Sequence, residues 1–211
     1  MRGKGKGFTL VELAIVLVVI GIIIGAVLKG QEMIFNAKVK RTVSLIKELM
    51  AAVHVYYDRY GYYPGDDPTA SQRWGINAPN GNGDGTVCMQ HWWGPCNATD
   101  EYKYLIRHLR YANILSGDPN EDPPIISVPF GQKHPTPAMP LVIGTAAHFS
   151  NKLILVIPYI PSIAAEMVDR TMDDGLRVSG TVWCKYNDAR NWNWGNNSYD
   201  PNATCDLHVF F

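Results

Sequence analysis

Charged residues are almost absent from the first long stretch of this sequence. The run from Phe8 to Leu28 contains a single charged side chain, Glu12, and no proline. An apolar run of this length is a candidate transmembrane helix. The chain also lacks the HExxH, GxSxG and phosphate-loop motifs of common enzyme classes, and its six histidines are scattered. We therefore expect a protein that is not an enzyme.

An excess of basic side chains is absent as well, since 19 Lys and Arg balance 19 Asp and Glu. No basic patch follows the short leader, Met1 to Gly7, and we therefore expect no nucleic-acid partner. Within the leader, Arg2, Lys4 and Lys6 predict a cytoplasmic N-terminus by the positive-inside rule. The domain beyond Leu28 would then face the periplasm or the exterior, where disulfides are permitted.

The six residues from Gly7 to Glu12, GFTLVE, join the basic leader to the apolar run. This arrangement resembles the class III signal peptide of type IV pilins and type II secretion pseudopilins. The resemblance implies that a prepilin peptidase cleaves between Gly7 and Phe8, and that Phe8 becomes the N-methylated first residue. It also implies that the Glu12 carboxylate pairs with the N-terminal amine of a neighbouring subunit during assembly.

Elementary electrostatics agrees with this role for Glu12. A lone carboxylate in a membrane helix costs roughly 2.5–3.5 kcal/mol on insertion scales, and the apolar run offers it no partner. Cleavage creates an amine at Phe8, and a buried amine and carboxylate from adjacent subunits would offset each other's desolvation. The alternative is an ordinary signal anchor with an incidental glutamate. A Sec-type signal, however, is cut after its apolar core, whereas the expected cut here precedes it.

The helix is predicted to continue beyond the membrane segment as far as Tyr60. Apolar residues recur at alternating spacings of four and three, which is a helical stripe: Val39, Val43, Ile46, Met50, Val53, Tyr57 and Tyr60. A second set widens the stripe into a face that can pack on a sheet: Leu45, Leu49, Ala52 and Tyr56. Gly61 and Pro64 are expected to end the helix.

The resemblance implies an α+β, pilin-like fold. In such a fold, a long N-terminal α-helix packs on a small antiparallel β-sheet head with loop insertions. The expected organisation is a leader at 1–7 cleaved by the prepilin peptidase, a transmembrane or filament-core helix at 8–28, the amphipathic half of the same helix at 29–60, and a periplasmic or extracellular globular head at 61–211.

Local patterns predict further elements inside the head. Helices are expected at 101–115 and 162–174, and strands at 141–144, 152–159 and 177–183. Ser162 would cap the second helix and Gly175 would end it. Asp169 and Asp173 share one face of that helix, which indicates either a solvated acidic face or a bound cation or basic partner.

The glycine-rich segment from Asn80 to Thr86 matches the first half of a calcium-binding loop, with side-chain oxygens at alternate positions followed by a glycine. The glutamate that completes such a loop is missing, because His91 stands in its place. Major pseudopilins bind calcium in a loop of their heads, so the resemblance adds two carboxylates from an upstream turn. The expected ligands are Asp66, Asp67, Asn80, Asn82, Asp84 and Thr86. The alternative is a Gly/Asn turn cluster without an ion, and the sequence requires no cofactor.

The chain has four cysteines, which fall in two sequence-local pairs. Four cysteines allow three connectivities, of which we prefer Cys88–Cys96 and Cys184–Cys205. The second pair would close a C-terminal loop, as in many type IV pilins. A zinc site formed by Cys88, His91 and Cys96 is the alternative, although its spacing is not that of a standard zinc finger.

The resemblance implies a structural subunit of a type IV pilus-like filament, which polymerises through its N-terminal helix. Its expected partners are copies of itself, the prepilin peptidase, an inner-membrane assembly platform and, before assembly, the membrane. The precursor is expected to be a single-pass inner-membrane protein, and the mature protein a periplasmic or extracellular filament.

Two other functions remain open. A major-type pseudopilin of a type II secretion system is favoured by the calcium-like loop and by Lys29, which stands where many pilins have a proline. A minor tip subunit with a ligand-binding head would use aromatic residues near the C-terminus and in one loop: Trp92, Trp93, Trp183, Tyr186, Trp192, Trp194 and Tyr199. The same aromatic residues could instead pack subunit against subunit.

Overall fold

The structure is a computed structural model that describes residues 7–87, 101–121, 126, 128–130, 142–146, 152–186 and 197–211. Its helices are α1 (Leu10–Tyr60), α2 (Ala70–Trp74), α3 (Glu101–Tyr111) and α4 (Ser162–Met172). Its strands are β1 (Val142–Ala146), β2 (Lys152–Pro161), β3 (Val182–Tyr186) and β4 (Thr204–Phe210). The predicted α+β fold, with a long N-terminal helix and a small antiparallel sheet, is confirmed. The chain divides into two compact units, Met1–Lys38 and Val39–Phe211.

The first unit contains the apolar part of α1. From Phe8 to Ile34 its large apolar side chains are exposed, and Leu10 and Leu17 are 87% and 69% exposed. By length and composition, α1 is the one described helix that could cross a membrane, and none of its most apolar window is buried. This surface therefore lacks a covering partner within the part of the chain that the structure describes.

The second unit buries one stripe of α1: Val39, Thr42, Val43, Leu45, Ile46, Leu49, Ala52, Val53 and Tyr56. The predicted stripe leaves the buried face at Met50 and Tyr60, which are half-buried, and at Tyr57, which is 43% exposed. Its spacing averages 3.5 residues, whereas a straight helix turns every 3.6 residues, so the expected stripe drifts off the buried face. Leu49 and Tyr56, both fully buried, occupy the core instead.

The head contains a four-stranded antiparallel sheet in the order β1-β2-β4-β3. Helix α4 follows β2 directly and contacts β2, β3 and β4. The register of β2 against β4 shifts between Ile157 and Ile160. At this irregularity Tyr159 has a φ of 55°, and its amide donates to Asp206 at 3.1 Å. Leu155 and Leu207 on the two central strands are fully buried and form part of the core.

Strand β4 was not predicted, and β3 lies later than expected. Six of the seven β4 residues are buried, including Asp206 and His208, and these polar side chains interrupt the apolar pattern that would indicate a strand. The predicted strand 177–183 is wrong at its start. Residues 177–181 form turns, with Gly180 at a φ of 67°, and regular pairing begins only at Val182.

Both predicted helices of the head end earlier than expected. Helix α3 stops at Tyr111 instead of residue 115, and Asn113 two residues later has a φ of 53°. Helix α4 stops at Met172, and the Asp173 amide still donates to the Asp169 carbonyl. Ser162 is not the cap of α4. Its amide instead donates to the Ala203 carbonyl at 3.0 Å, on the chain that leads into β4.

A disulfide joins Cys184 of β3 to Cys205 of β4, with Cα atoms 5.6 Å apart. This is the second of the two pairs predicted from the sequence. Cys88, Cys96 and His91 lie outside the described residues, so the first disulfide and the zinc alternative stay predictions.

Candidate functional site

The N-terminal motif begins α1 with a capping box, in which two side chains satisfy each other's free amides. The Thr9 amide and hydroxyl both donate to Oε2 of Glu12 at 2.8 Å. In return, the Glu12 amide donates to the Thr9 hydroxyl oxygen at 3.2 Å. Gly7 and Phe8 precede the helix without regular structure, and both are exposed with respect to the described residues.

The Glu12 carboxylate has neutral donors but no cation within the described part of α1 near it. The first basic side chain along the helix, Lys29, pairs with Glu32 at 2.8 Å. Hydroxyl and amide donors orient a carboxylate but leave its charge uncompensated in lipid. The arrangement thus presents one oriented anion on the otherwise apolar, exposed segment of α1 that ends at Leu28.

A second site lies in the head, where Asp66 organises the glycine-rich segment. Its Oδ1 accepts hydrogen bonds from the amides of Gly83 at 2.7 Å and Asp84 at 3.0 Å, and its Oδ2 accepts one from Gly85 at 2.9 Å. Burial raises the pKa of Asp66, and the amides of Gly85 and Gly83 act against this rise. At Gly81, any Cβ would lie 2.3 Å from the Asp66 backbone, so glycine permits the close approach.

The neighbouring Asp67 is fully buried and faces donors on every side. Its Oδ2 accepts the Tyr56 hydroxyl at 2.6 Å and pairs with the Arg73 guanidinium. Its Oδ1 accepts both the amide and the hydroxyl of Thr69 at 2.8 Å. The carboxylate therefore ties α1 to the turn that precedes α2, and burial raises the pKa of the Tyr56 hydroxyl.

The structure brings the six predicted calcium ligands close together in the fold but directs their oxygens elsewhere. Asp84 accepts the Thr86 amide and hydroxyl on Oδ1 and the Asn82 side-chain amide on Oδ2. Burial acts to raise the pKa of Asp84, but the hydrogen bonds from Thr86 and Asn82 lower it overall. The Asn80 side-chain oxygen accepts the Ser71 amide at 2.8 Å.

Calcium takes six to eight converging oxygen ligands, whereas N–H and O–H donors occupy these oxygens. In the described structure these oxygens are engaged by hydrogen-bond donors, and calcium at this segment stays a prediction.

His108 of α3 forms hydrogen bonds with the backbone next to Asp66 and next to the glycine-rich segment. Its Nδ1 accepts the Gly65 amide at 2.9 Å, and its Nε2 lies 2.7 Å from the Pro79 carbonyl, to which it donates as the neutral tautomer. Burial lowers the pKa of His108 to about 4, and the nearby Arg73 charge also lowers it. His108 is thus a buried, hydrogen-bonded residue of the head.

Three of the aromatic residues considered for a binding surface are described. The Trp183 indole donates to the Gly180 carbonyl at 3.1 Å, and the Tyr199 hydroxyl donates to Asp169 at 2.8 Å. The Tyr186 hydroxyl accepts the Asp200 amide. Their polar atoms are therefore engaged within the head. Trp92, Trp93, Trp192 and Trp194 lie outside the described residues.

Two features of these sites were missed from the sequence. Thr9 and Glu12 have the spacing of a capping box, so a local signal for this contact was available. The contact between Tyr199 and Asp169 joins residues thirty positions apart, and no local pattern predicts it.

Comparison with known families agrees with the N-terminal geometry. Residues 2–28 match the family model described as the prokaryotic N-terminal methylation motif. No curated protein and no solved structure matches the chain. The motif implies processing by a prepilin peptidase and pilus assembly, and together with the apolar helix it fits a single-pass membrane-anchored precursor. Residues 2–28 are therefore the class III signal peptide of type IV pilins and pseudopilins, and the motif supports a structural protein of the pilin-like or pseudopilin type.

Proposed function

We propose that this protein is the structural subunit of a type IV pilus-like filament. After cleavage between Gly7 and Phe8 and methylation of Phe8, the apolar helices of many copies would leave the membrane and bundle in a shared core. Glu12 would pair with the new amine of a neighbouring copy and set the axial register between subunits.

One observation carries this proposal: the apolar half of α1 is exposed along its whole length and bears one oriented carboxylate. A purely anchoring helix needs no such carboxylate, and its insertion cost favours a sequence without it. A polymerising helix gains from the carboxylate. Because the anion needs a cation from another subunit, the axial alignment in which the two meet is more stable than other alignments.

The pseudopilin function is the second candidate, and the calcium-like loop and Lys29 favour it. Lys29 stands where many pilins have a proline, and α1 is helical through this position. The disulfide between Cys184 and Cys205 favours the pilin instead, because such a bridge closes the C-terminal loop of many pilins.

Mass spectrometry of the N-terminal peptide, in sheared cell-surface material and in the envelope in parallel, tests the proposal. We expect an abundant peptide that begins at N-methyl-Phe8 in the sheared fraction. The same peptide confined to the envelope would favour a pseudopilin or a minor subunit. An uncleaved leader in both fractions would refute the proposed processing and with it the filament.

A further inference from the structure

Three carboxylates converge at the C-terminal end of α4. Asp169, Asp173 and Asp174 can each contribute one oxygen such that the three oxygens lie within 4.8 Å of one another. The C-terminal end of a helix carries partial negative charge from its free carbonyl groups, so anions are disfavoured there. Acidic groups often cluster at a surface without any ligand, and a second observation is needed to assign a role.

That observation is the burial of Asp169, which is 0% exposed. Its Oδ2 accepts the Tyr199 hydroxyl at 2.8 Å. Its Oδ1 is buried and accepts no hydrogen bond within the described residues, although the Gly175 amide lies close enough to lower the pKa. A buried carboxylate oxygen without a donor is costly, and it points to a cation that would satisfy it.

Nearby basic side chains are engaged elsewhere. Arg170 pairs with Glu166 at 2.6 Å, and Arg177 donates to the Cys184 carbonyl at 3.2 Å. Within the described ranges, no lysine or arginine forms an ion pair with the three carboxylates. Burial raises the pKa of Asp169 to about 6, the Tyr199 hydroxyl and the Gly175 amide oppose this rise, and the charges of Asp174 and Asp173 add to it.

The other two carboxylates are held in place by one oxygen each. Oδ2 of Asp173 accepts the Thr181 amide and hydroxyl and, at 3.2 Å, the Val182 amide. Oδ1 of Asp174 accepts the Leu176 amide at 2.8 Å. In the described part of the chain, one oxygen of each of the three carboxylates is therefore left without a donor. An ion that binds these oxygens need not displace any of the hydrogen bonds.

We propose that Asp169, Asp173 and Asp174 bind a hard divalent cation, of the Ca²⁺ class, whose coordination water molecules complete. The donor set is all oxygen, without the nitrogen or sulfur ligands that zinc and copper prefer. Ca²⁺ accepts irregular geometry, whereas Mg²⁺ requires a near-octahedral site. An affinity of about 10⁻⁴–10⁻³ M, as in extracellular modules, is expected from so few protein ligands. This proposal does not depend on the proposed filament function, and it uses none of the residues of the glycine-rich segment.

The experiment measures thermal unfolding and calorimetric titration of the full chain in detergent, with CaCl₂, with MgCl₂, or with a chelator. At calcium about ten times the dissociation constant, binding contributes about 1.4 kcal/mol, and we expect the melting temperature to rise by about 3–6 °C. In Asp174→Asn this shift should disappear, while the variant without calcium melts no lower than the wild type because a repulsion is removed. Asp169→Asn, which keeps the acceptor for Tyr199, provides a second test with the same expected loss of the shift.

Two matched controls separate this site from others. Asp200 makes the same local turn as Asp174, because its Oδ1 accepts the Asn202 amide at 2.9 Å, so Asp200→Asn should retain the full calcium shift. Asp84→Asn in the glycine-rich segment should retain it too. A shift lost in Asp84→Asn but kept in Asp174→Asn would place the ion in that segment and overturn the proposal. If calcium produces neither a heat of binding nor a rise in melting temperature in the wild type, the proposal is overturned. It is also overturned if Mg²⁺ raises the melting temperature of Asp174→Asn as much as calcium raises that of the wild type.

Discussion

The two halves of α1 differ in what covers their apolar side chains. Between Phe8 and Leu28 every side chain is exposed, and Glu12 is the one charge. Beyond Val39 the helix alternates between buried apolar residues and exposed charged ones, and Ile46 and Leu49 are fully buried. Helix α1 therefore contains one region whose apolar side chains are covered by the described part of the chain and one region whose apolar side chains are not.

The difference shows where each half obtains its stability. A fully buried Leu or Ile contributes about 1.5–3 kcal/mol relative to an exposed one, and the second half gains this within the chain. The first half can gain it only from lipid or from other copies. Because lipid and a filament core are both apolar, transfer between them changes the hydrophobic term little. The polar group Glu12 is then the main energetic difference between the two environments.

The largest expected effect comes from removing that charge. Glu12→Leu and Glu12→Gln should leave leader cleavage and membrane insertion intact while filament assembly falls at least about tenfold, because the neighbouring amine loses its buried partner. Sheared-filament yield relative to total processed protein measures this effect.

Glu32→Gln is the matched control, since Glu32 lies on the same helix and is exposed and paired with Lys29. It should assemble normally. Normal filament yield in both Glu12 variants would contradict the pairing, and it would reduce the first half of α1 to a simple anchor.

A leucine pair tests the comparison directly. Leu49→Ala should lower the free energy of unfolding of the head by about 2–5 kcal/mol, because a fully buried side chain leaves a cavity. Leu17→Ala, at a position 69% exposed, should leave the unfolding transition unchanged. Denaturant or thermal unfolding of the full chain in detergent measures both. Equal losses in the two variants would mean that the halves of α1 do not differ as described.

Sequence patterns predicted the elements that follow one simple period. The apolar run was anticipated from hydrophobic periodicity, which is a local signal. The α+β class was implied by the resemblance to pilins, and the disulfide partner of Cys184 was preferred because the cysteines fall in two sequence-local pairs. Strand β4 was missed because buried Asp206 and His208 interrupt its apolar character. The buried stripe was misplaced at Met50 and Tyr57, since a small error in period accumulates over several turns.

The sites show the same limit. GFTLVE predicts roles for Gly7, Phe8 and Glu12 because the motif is contiguous, and these residues lie within the stretch 2–28 that matches the methylation motif. Their individual roles stay predictions. In the glycine-rich segment the alternating oxygens were visible, but their hydrogen-bond partners were not. Whether an oxygen faces an ion or an amide depends on chain reversals that no local pattern encodes, as the contact of Asp66 with the Gly83 amide illustrates.

The loss of folding stability at low pH should arise in the head and depend on His108. Because burial lowers the folded-state pKa of His108 to about 4, the unfolded chain takes up a proton at a higher pH than the folded one. The stability that neutral His108 contributes is complete above its ordinary pKa of 6.5 and is lost as the pH falls toward 4. The loss by pH 4 should reach about 3 kcal/mol.

His108→Gln keeps one acceptor and one donor without titrating. Subtracting its pH–stability curve from that of the wild type cancels the contributions of the carboxylates and of His208. The difference should be flat above pH 7 and decline between pH 6.5 and 4. A difference that is flat throughout would show that His108 is not buried as a neutral group.

The smallest expected effect compares two adjacent tyrosines of α1, one buried and one exposed. Tyr56→Phe removes a buried hydroxyl that donates to Asp67 at 2.6 Å, so unfolding should become easier by about 1–3 kcal/mol, since a buried carboxylate loses one of its donors. Tyr57→Phe alters a residue that is 43% exposed and should change the free energy by less than about 0.5 kcal/mol. Both variants keep their aromatic rings, so the difference between them isolates the hydroxyl. If the two variants are equally stable, Arg73 and Thr69 alone satisfy Asp67, and the hydrogen bond from Tyr56 adds no net stability.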